Sequence, residues 1–483
     1  MAAPARHVHF IGIGGIGMSA LARLLRGRGE QVSGCDLHPS ALTGALQHEG
    51  VRFFEGHHPS HLDGVELVVI TAAVRPDNAE LQQAAARGIP VLKRAELLGQ
   101  LMAEKRSIAV AGTHGKTTTS SLIAWILVRA GLDPTVLVGG ESAELGGNSR
   151  GGRGAWLVAE ADEFDASFLT MRPEIAIVTN VEAEHLDFYK TFEGVVDAFS
   201  RFLQGVPPGG HVIYCLDDPV LAGLESTQHM ALAINKNGPY SGVTLSEGLL
   251  QAQSRVSYGF LPAAQWRAEN LTPNTGGGTD FDCLHYGSPY ARISLRIPGR
   301  HNVSNALAVI ATADLLGVDK EVTREALAGF GGVNRRFQVL GEANGITVAE
   351  DYAHHPTEVE ATLAAARQRF GDRRIVCVFQ PHTYSRTKLL MPQYVDAFRD
   401  ADVVYITEIY AAREDNIWGV TGQELAAALT HPNVTHIPTI AEVTERLPAT
   451  LRPGDALMLL GAGDIYTTGP RILEALQKER DVH

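Results

Sequence analysis

Cysteine is scarce in this chain of 483 residues: only Cys35, Cys215, Cys283 and Cys377 occur. They are scattered and form no CxxC pair, so they read as buried thiols in a reducing compartment. A disulfide framework or a zinc site is not expected. Positive charge is also short, with 41 Lys and Arg against 54 Asp and Glu, a net charge of −13. A diffuse acidic surface repels phosphate backbones and argues against general nucleic-acid binding. A local basic pocket for one phosphorylated metabolite stays open. Long apolar runs are missing as well. The first one is broken by Gly12, Gly14, Gly15 and Gly17, then by Arg23, which excludes a membrane span there. The segment Met1–His7 lacks the pattern of a signal peptide, so a cytoplasmic enzyme without membrane attachment is the expectation. No short-period repeat or low-complexity tail is visible.

Apolar residues at 45% and charged residues at 20% are ordinary for a globular protein, and the length suggests about three domains. In residues 1–106, short apolar runs at Val8–Ile13, Gln31–Cys35, Leu67–Thr71 and Val91-Leu92 alternate with helical spacing. That alternation predicts a Rossmann-like parallel sheet covered on both faces. A second domain, residues 107–330, opens on the strand Ile108–Ala111 and continues with Trp156–Ala159 and Ile175–Thr179. Its later part, with runs at His211–Cys215, Arg255–Phe260 and Ile293–Ile297, has an antiparallel look, and Gly276-Gly277-Gly278 marks a loop tip. Residues 331–483 return to α/β alternation, with strands expected at Ile346–Ala349, Ile375–Phe379, Val403–Ile406 and Ala456–Leu460. The fold class is therefore α/β in three domains: two Rossmann-like ones flanking a P-loop domain.

The sharpest motif is Gly112-Thr113-His114-Gly115-Lys116-Thr117-Thr118, placed between a strand and a helix with Leu122, Ile123, Ile126 and Leu127 on one face. Glycines let backbone N–H groups approach phosphate oxygens, and the helix N-terminus adds free donors and a positive dipole end. Lys116 can reach the β- and γ-phosphates of ATP, and the Thr117 hydroxyl can ligate Mg²⁺. The common motif places another glycine at 110, where this chain has Val110.

A second glycine motif, Gly12-Ile13-Gly14-Gly15-Ile16-Gly17, follows the first strand, and Asp36 ends the next. It fits a dinucleotide, and equally any diphosphate held at a helix N-terminus, including a UDP-sugar. Ligands of open α/β sheets sit beyond the carboxyl ends of the strands. Glu160, Asp162 and Glu163 follow one strand of the P-loop domain, and Asn180, His185 and Asp187 follow another. Carboxylates there suit a hard Mg²⁺ ion, a histidine less usually so. His301, Asn302 and Asn305 share one helical stripe, and Arg335-Arg336 stands at the start of the third domain; Asn amides can read an adenine edge and Arg can pair with phosphate. In the third domain, Glu350–Thr357, Gln380-Pro381-His382 with Ser385-Arg386-Thr387, and Gly461–Asp464 each follow a strand, so three polar clusters share one sheet edge.

Taken in order, these blocks resemble the Mur ligase family of peptidoglycan synthesis. The pattern is carried by Gly112–Thr118, Glu160–Glu163, Asn180 with His185 and Asp187, His301-Asn302 with Asn305, Arg335-Arg336-Phe337 and Asp351-Tyr352 through Thr357. Within the family, His9–Met18, Ala166-Ser167-Phe168 and Gln380-Pro381-His382 look most like members that join L-alanine to UDP-N-acetylmuramate. The resemblance implies one domain each for the UDP-sugar, ATP and the amino acid. It implies that ATP phosphorylates the muramate carboxylate and that the amine of L-alanine then displaces phosphate. By position, it implies that Thr117, Glu160 and His185 serve Mg²⁺ (or Mn²⁺), and that Lys116, His185 and Arg386 serve catalysis. Gly112, Thr113, His114, Gly115, Lys116, Thr117 and Thr118 would hold ATP together with His301, Asn302, Asn305, Arg336 and Asp351. Gly12, Gly14, Gly15, Gly17, Asp36 and Glu160 would face the UDP-sugar. Tyr352, His354, His382 and Arg386 would line the amino-acid site. At Thr383 the chain departs from relatives that carry a basic or aromatic residue there. A monomer or a homodimer is compatible with this reading. Three alternatives of function remain at this point: a ligase attaching a whole peptide to the same UDP-sugar, an NAD-dependent oxidoreductase suggested by the first glycine motif, and a non-catalytic nucleotide sensor of the same fold.

Overall fold

A computed structural model of the chain describes residues 5–71, 73–224, 245 and 254–480. The leading residues 1–4, part of the segment read for targeting, lie outside it. Three α/β domains are present, and the chain divides into two compact units. The first unit comprises Met1–Ala268, Cys283–Tyr290 and Ser304–Ala326, and the second comprises Glu269–Asp282, Ala291–Val303 and Leu327–His483. Among the described residues, no helix is long and apolar enough to cross a membrane.

The first unit begins with five parallel strands: β1 (His7–Ile11), β2 (Gln31–Asp36), β3 (Arg52–Glu55), β4 (Leu67–Ile70) and β5 (Val91–Lys93). Their order is β3-β2-β1-β4-β5, with β1 central and buried on both faces. Helices α1 (Ile16–Gly27), α2 (Ala41–His48), α3 (Ala79–Arg87) and α4 (Arg94–Ala103) complete the domain. Helix α3 shows how local sequence sets the boundaries: the Asn78 side chain accepts from the Glu80 and Leu81 N–H groups, and Gly88 closes the helix at φ 66°.

The next sheet is built around β6 (Arg106–Ala111), which leads into helix α5 (Lys116–Arg129). Then come β7 (Thr135–Ser142), β8 (Gly147–Arg150), β9 (Trp156–Glu160), β10 (Ile175–Val178), β11 (His211–Cys215) and β12 (Ser254–Gly259). In space β6 lies between β9 and β10, with Val110 beside Glu160 and Ala111 beside Val178. The chain fills one side of β6 and then crosses to the other, so the loop after β6 sits at the point where strand order reverses. That crevice is where open α/β sheets bind ligands.

For two of the later runs the antiparallel look is corrected: β11 and β12 pair in parallel, His211 beside Ser254 through Cys215 beside Tyr258. The connection, residues 216–253, exceeds the dozen or so that a parallel crossover requires. The Gly276–Gly278 tip does lie between two strands, Trp266–Pro273 and Thr279–His285. There the Asn274 carbonyl side chain accepts from Gly276 and Gly278 N–H.

The second unit contains β16 (Gln338–Ala343), β17 (Ile346–Asp351), β18 (Ile375–Phe379), β19 (Val403–Ile406), β20 (Val434–His436) and β21 (Ala456–Leu460), counting the three strands Trp266–Pro273, Thr279–His285 and Ser288–Leu295 as β13–β15. Their order is β16-β17-β21-β18-β19-β20, parallel except for the β16–β17 pair. Separate apolar clusters pack the two faces, one including Leu363, Phe379 and Phe398, the other Val348, Val378 and Ile472. Strands β17, β21 and β18 are neighbours in register, so their polar carboxyl ends share one edge.

Candidate active site

Between the ends of β9 and β10 the chain turns through Gly112–Thr118. Gly112 has φ 129°, and a Cβ there would lie 2.0 Å from Thr179 Oγ1. Gly115, the residue before α5, has φ 81°, and its Cβ would lie 2.6 Å from Asn305 Oδ1. Only glycine meets both demands at these positions. Val110 needs no such freedom because it is still inside β6, fully buried. The shortened motif therefore follows from a strand that runs two residues further.

Neighbouring strand ends fix the loop. Thr113 N–H donates to the Asn180 carbonyl at 3.0 Å, and His114 N–H donates to Asn180 Oδ1 at 2.8 Å. The Thr179 hydroxyl and the Asn180 amide both donate to the His114 carbonyl, at 2.6 and 3.1 Å. Glu182 N–H donates to the Thr113 hydroxyl at 2.9 Å. Asn180 is thus a brace for the loop backbone.

Charge is concentrated just behind this loop. Lys116 Nζ donates to the Gly112 and Thr113 carbonyls at 2.6 and 3.1 Å and to both Glu163 oxygens at 3.1 and 2.9 Å. Burial opposes its charge, but Glu163, Asp162 and Glu160 more than offset that and raise its pKa. Burial pushes the Glu163 carboxyl up to about 7, against the pull of Lys116. Thr117 Oγ1 donates to Glu160 Oε2 at 2.8 Å, and Gly139 N–H reaches the same oxygen at 2.9 Å. A hydroxyl and a carboxylate held together on a phosphate loop are hard oxygen donors that fit Mg²⁺. His185 occupies the left-handed region, φ 55°, with its ring edge-on to Phe164 at 5.0 Å.

The first glycine loop lies in the same unit. Gly12 and Ile13 N–H donate to the Cys35 carbonyl at 2.9 and 3.0 Å. Asp36 accepts from Gly14 N–H at 2.9 Å and from Leu37 N–H at 2.8 Å. Gly15 is the N-cap of α1 and Gly17 stands in its first turn. A Cβ on Gly17 would lie 3.2 Å from Arg94 Nη1, and Arg94 Nη2 lies 3.7 Å from Asp162 Oδ2. Arg94 thereby joins the first loop to the carboxylate run of the second. The sequence reading overlooked it, although its place directly after β5, at a strand's carboxyl end, was a usable signal. Glu163, expected only as one of three carboxylates after β9, is the partner of Lys116.

In the second unit, Asp351 accepts from Phe337 N–H and Ala353 N–H, both at 2.7 Å, and burial raises its pKa to about 6. Arg335 crosses to the Gly461 and Gly463 carbonyls at 3.0 and 3.1 Å, while the Arg335 and Arg336 guanidinium groups lie 4.7 and 5.1 Å from the Tyr352 ring. Arg336 faces Glu358 Oε1 at 3.6 Å, and His354 Nδ1 faces Glu358 Oε2 at 3.3 Å. Glu358 is a further residue that the sequence reading passed over; its capping-box spacing from His355 was the signal. His354 and His382 meet edge to face at 5.7 Å, His382 stacks on Tyr410 at 5.6 Å, and Arg386 donates to the His382 carbonyl at 2.7 Å. Tyr352, His354, His382 and Arg386 are therefore assembled at the shared edge of β17, β21 and β18. Asn302 donates to the Pro298 carbonyl at 2.7 Å, and burial lowers the pKa of His301 to about 4.

Three family models match the chain in sequence order: the Mur ligase family catalytic domain over residues 7–106, the Mur ligase middle domain over 110–313, and the Mur ligase glutamate ligase domain over 335–463. A UDP-N-acetylmuramate–L-alanine ligase of Anaeromyxobacter sp. (strain Fw109-5) is 46% identical over 474 residues, covering 97% of this chain and 98% of the relative. The ligase of that name from Symbiobacterium thermophilum is 46% identical, covering 98% and 95%. Among solved structures, the UDP-N-acetylmuramate-alanine ligase of Thermotoga maritima superposes with a TM-score of 0.79 at 29% identity, covering 98% and 99%. A murein peptide ligase of Psychrobacter arcticus gives 0.69 at 25% identity with the same coverage. With the phosphate loop, its carboxylates and the order of all three domains in agreement, the chain belongs to the Mur ligase family.

Proposed function

We propose that this protein is an ATP-dependent ligase that joins L-alanine to the carboxylate of UDP-N-acetylmuramate, in the cytoplasm. One observation carries the reading. A lysine and a hydroxyl–carboxylate pair sit on a glycine loop at a sheet switch point, in a chain 46% identical over nearly its whole length to ligases named for this reaction.

The muramate carboxylate oxygen attacks the γ-phosphorus of ATP, the bond to the bridging oxygen breaks, and ADP leaves. The product is an acyl phosphate. The free amine of L-alanine attacks its acyl carbon, the C–O bond to phosphate breaks, and the amine proton passes to a base. Amide and inorganic phosphate result. Lys116 serves the β- and γ-phosphates, trading its Glu163 contact for phosphate oxygens. Gly112, Thr113, His114, Gly115 and Thr118 present N–H donors to the same phosphates. Thr117 and Glu160, with His185, would hold Mg²⁺, which would neutralise phosphate charge. The first loop, at Gly12, Gly14, Gly15 and Gly17, takes the UDP diphosphate, with Arg94 as its cation and Asp36 setting the loop's shape. His301, Asn302, Asn305, Arg336 and Asp351 serve the nucleotide. Tyr352, His354, His382 and Arg386 bind alanine, with Arg386 available for its carboxylate.

The test is phosphate release with ATP, UDP-N-acetylmuramate and a panel of L-alanine, glycine, L-serine and the cell-wall tripeptide. Release with alanine, matched by a product heavier than the UDP-sugar by one alanyl residue, is the expected result. Turnover only with the tripeptide, or none without NAD(H), would overturn the assignment.

A further inference from the structure

On one face of the first sheet five chemistry-bearing side chains meet. His9 comes from β1, Cys35 from β2, His57 and His61 from the segment after β3, and Glu80 from the first turn of α3. His9 Nε2, Cys35 Sγ and a Glu80 oxygen lie within 4.8 Å of one another, and all three residues are buried. Cys35 Sγ is 2.8 Å from Glu80 Oε2. His57 Nδ1 stands 3.2 Å from Cys35 Sγ and 3.4 Å from Glu80 Oε2. The other Glu80 oxygen is held by His61 Nδ1 at 2.5 Å and by His58 N–H at 3.2 Å.

His9 supplies the independent observation. It is fully buried, yet its Nε2 has no hydrogen-bond partner, and the nearest carboxylate oxygen, on Glu80, is 3.8 Å away. A buried polar atom without a partner is costly in a protein interior. Its Nδ1 is occupied by Ser33 Oγ at 2.8 Å, which leaves Nε2 as the ring nitrogen turned towards Cys35 and Glu80. That is the arrangement of a metal-ligating histidine whose other nitrogen is fixed by a second partner.

We propose that His9, Cys35 and Glu80, with His57 as fourth donor, bind a divalent cation of the zinc class. One thiolate, one carboxylate and imidazoles suit Zn²⁺. The 2.8 Å Cys35–Glu80 contact is the hydrogen bond of the protonated thiol, and the two groups part to about 3.5 Å when an ion held at about 2.0–2.3 Å takes the proton's place. Binding displaces the Cys35 thiol proton to solvent. Thiolate and carboxylate then neutralise the ion, so the buried site carries no net charge. His57, at 22% side-chain exposure, gives the route of entry. The ion is structural: the Cys35 carbonyl receives Gly12 and Ile13 N–H, so anchoring Cys35 anchors the first glycine loop. Cysteine spacing alone could not reveal this site, because its ligands come from four separated segments. The proposal stands independently of which amine the enzyme ligates.

The test is Co²⁺ titration of the chelator-treated full-length protein, followed by displacement with Zn²⁺. One equivalent should bind with a thiolate charge-transfer band and the visible bands of four-coordinate Co²⁺. Cys35→Ser should abolish the charge-transfer band and weaken Zn²⁺ binding at least about 100-fold, Ser33→Ala should weaken it about 10-fold, and Cys215→Ser should leave both unchanged. X-ray absorption of the Zn²⁺-loaded protein, which needs no variant, should show a sulfur neighbour at about 2.3 Å with nitrogen and oxygen at about 2.0 Å. A spectrum without thiolate contribution, or one that persists in Cys35→Ser, would overturn the site.

Discussion

The two glycine loops are built alike and charged differently. Each follows a central parallel strand, each turns on glycine, and each opens a helix. In the first, an amide donor is taken by Asp36, and the nearby cation, Arg94, is contributed by another strand–helix junction. In the second, the cation is part of the loop itself, and carboxylates hold it: Lys116 against Glu163, and Thr117 against Glu160. A loop with a borrowed cation can bind a diphosphate firmly without reacting with it. A loop with its own lysine and a metal-fitting oxygen pair can stabilise a phosphoryl group in flight. The backbone device is common to both; the side chains within hydrogen-bond reach set the two loops apart.

Substitutions should separate the loops in the same way. Lys116→Ala should lower kcat for ATP-dependent ligation at least about 1000-fold while UDP-sugar binding, followed by calorimetry, stays intact. Equal losses in both would break the division of labour. Arg94→Ala should do the reverse. Losing a charge-assisted contact of about 1.5–3 kcal/mol raises KM for the UDP-sugar about 10- to 100-fold, with kcat changed far less. Asp36→Ala should raise the same KM only a few-fold and cost about 1 kcal/mol of stability in a denaturant titration, since it removes the acceptor for Gly14 N–H.

The smallest effect concerns pH. The folded-state pKa of Glu163, about 7, lies above its ordinary 4.5. Between those values the folded chain keeps a proton that the unfolded chain has released. Stability from this group is therefore full below pH 4.5 and is lost as pH rises towards 7. Glu163→Gln should flatten that part of the stability profile. An unchanged slope would place its origin outside the Lys116 loop.

Much of this was legible because strands and loops of the α/β kind carry dense local signals. The apolar run Ile108–Ala111, the glycines and Lys116 located the glycine turn between β6 and α5, and the three polar strand ends of the last domain converged as their spacing implied. What escaped were features with no local mark. Strand β8, Gly-Asn-Ser-Arg, has no apolar residue and is recruited only by pairing with β7. The parallel pairing of β11 with β12 depends on a crossover, not on either strand's composition. Arg94 and Glu163 looked like ordinary surface and strand-end charges until the fold set them beside Gly17 and Lys116. Asn180, which seemed available for a ligand, bonds the loop backbone.

The most direct test of how the second loop acts is oxygen tracing. UDP-N-acetylmuramate labelled with ¹⁸O in its carboxylate is turned over with ATP and L-alanine, and the released phosphate is analysed by mass spectrometry. Activation of the carboxylate by phosphoryl transfer predicts one labelled oxygen in every phosphate, carried from the acyl phosphate when the amine displaces it. Unlabelled phosphate accompanying amide formation would contradict carboxylate activation at this loop.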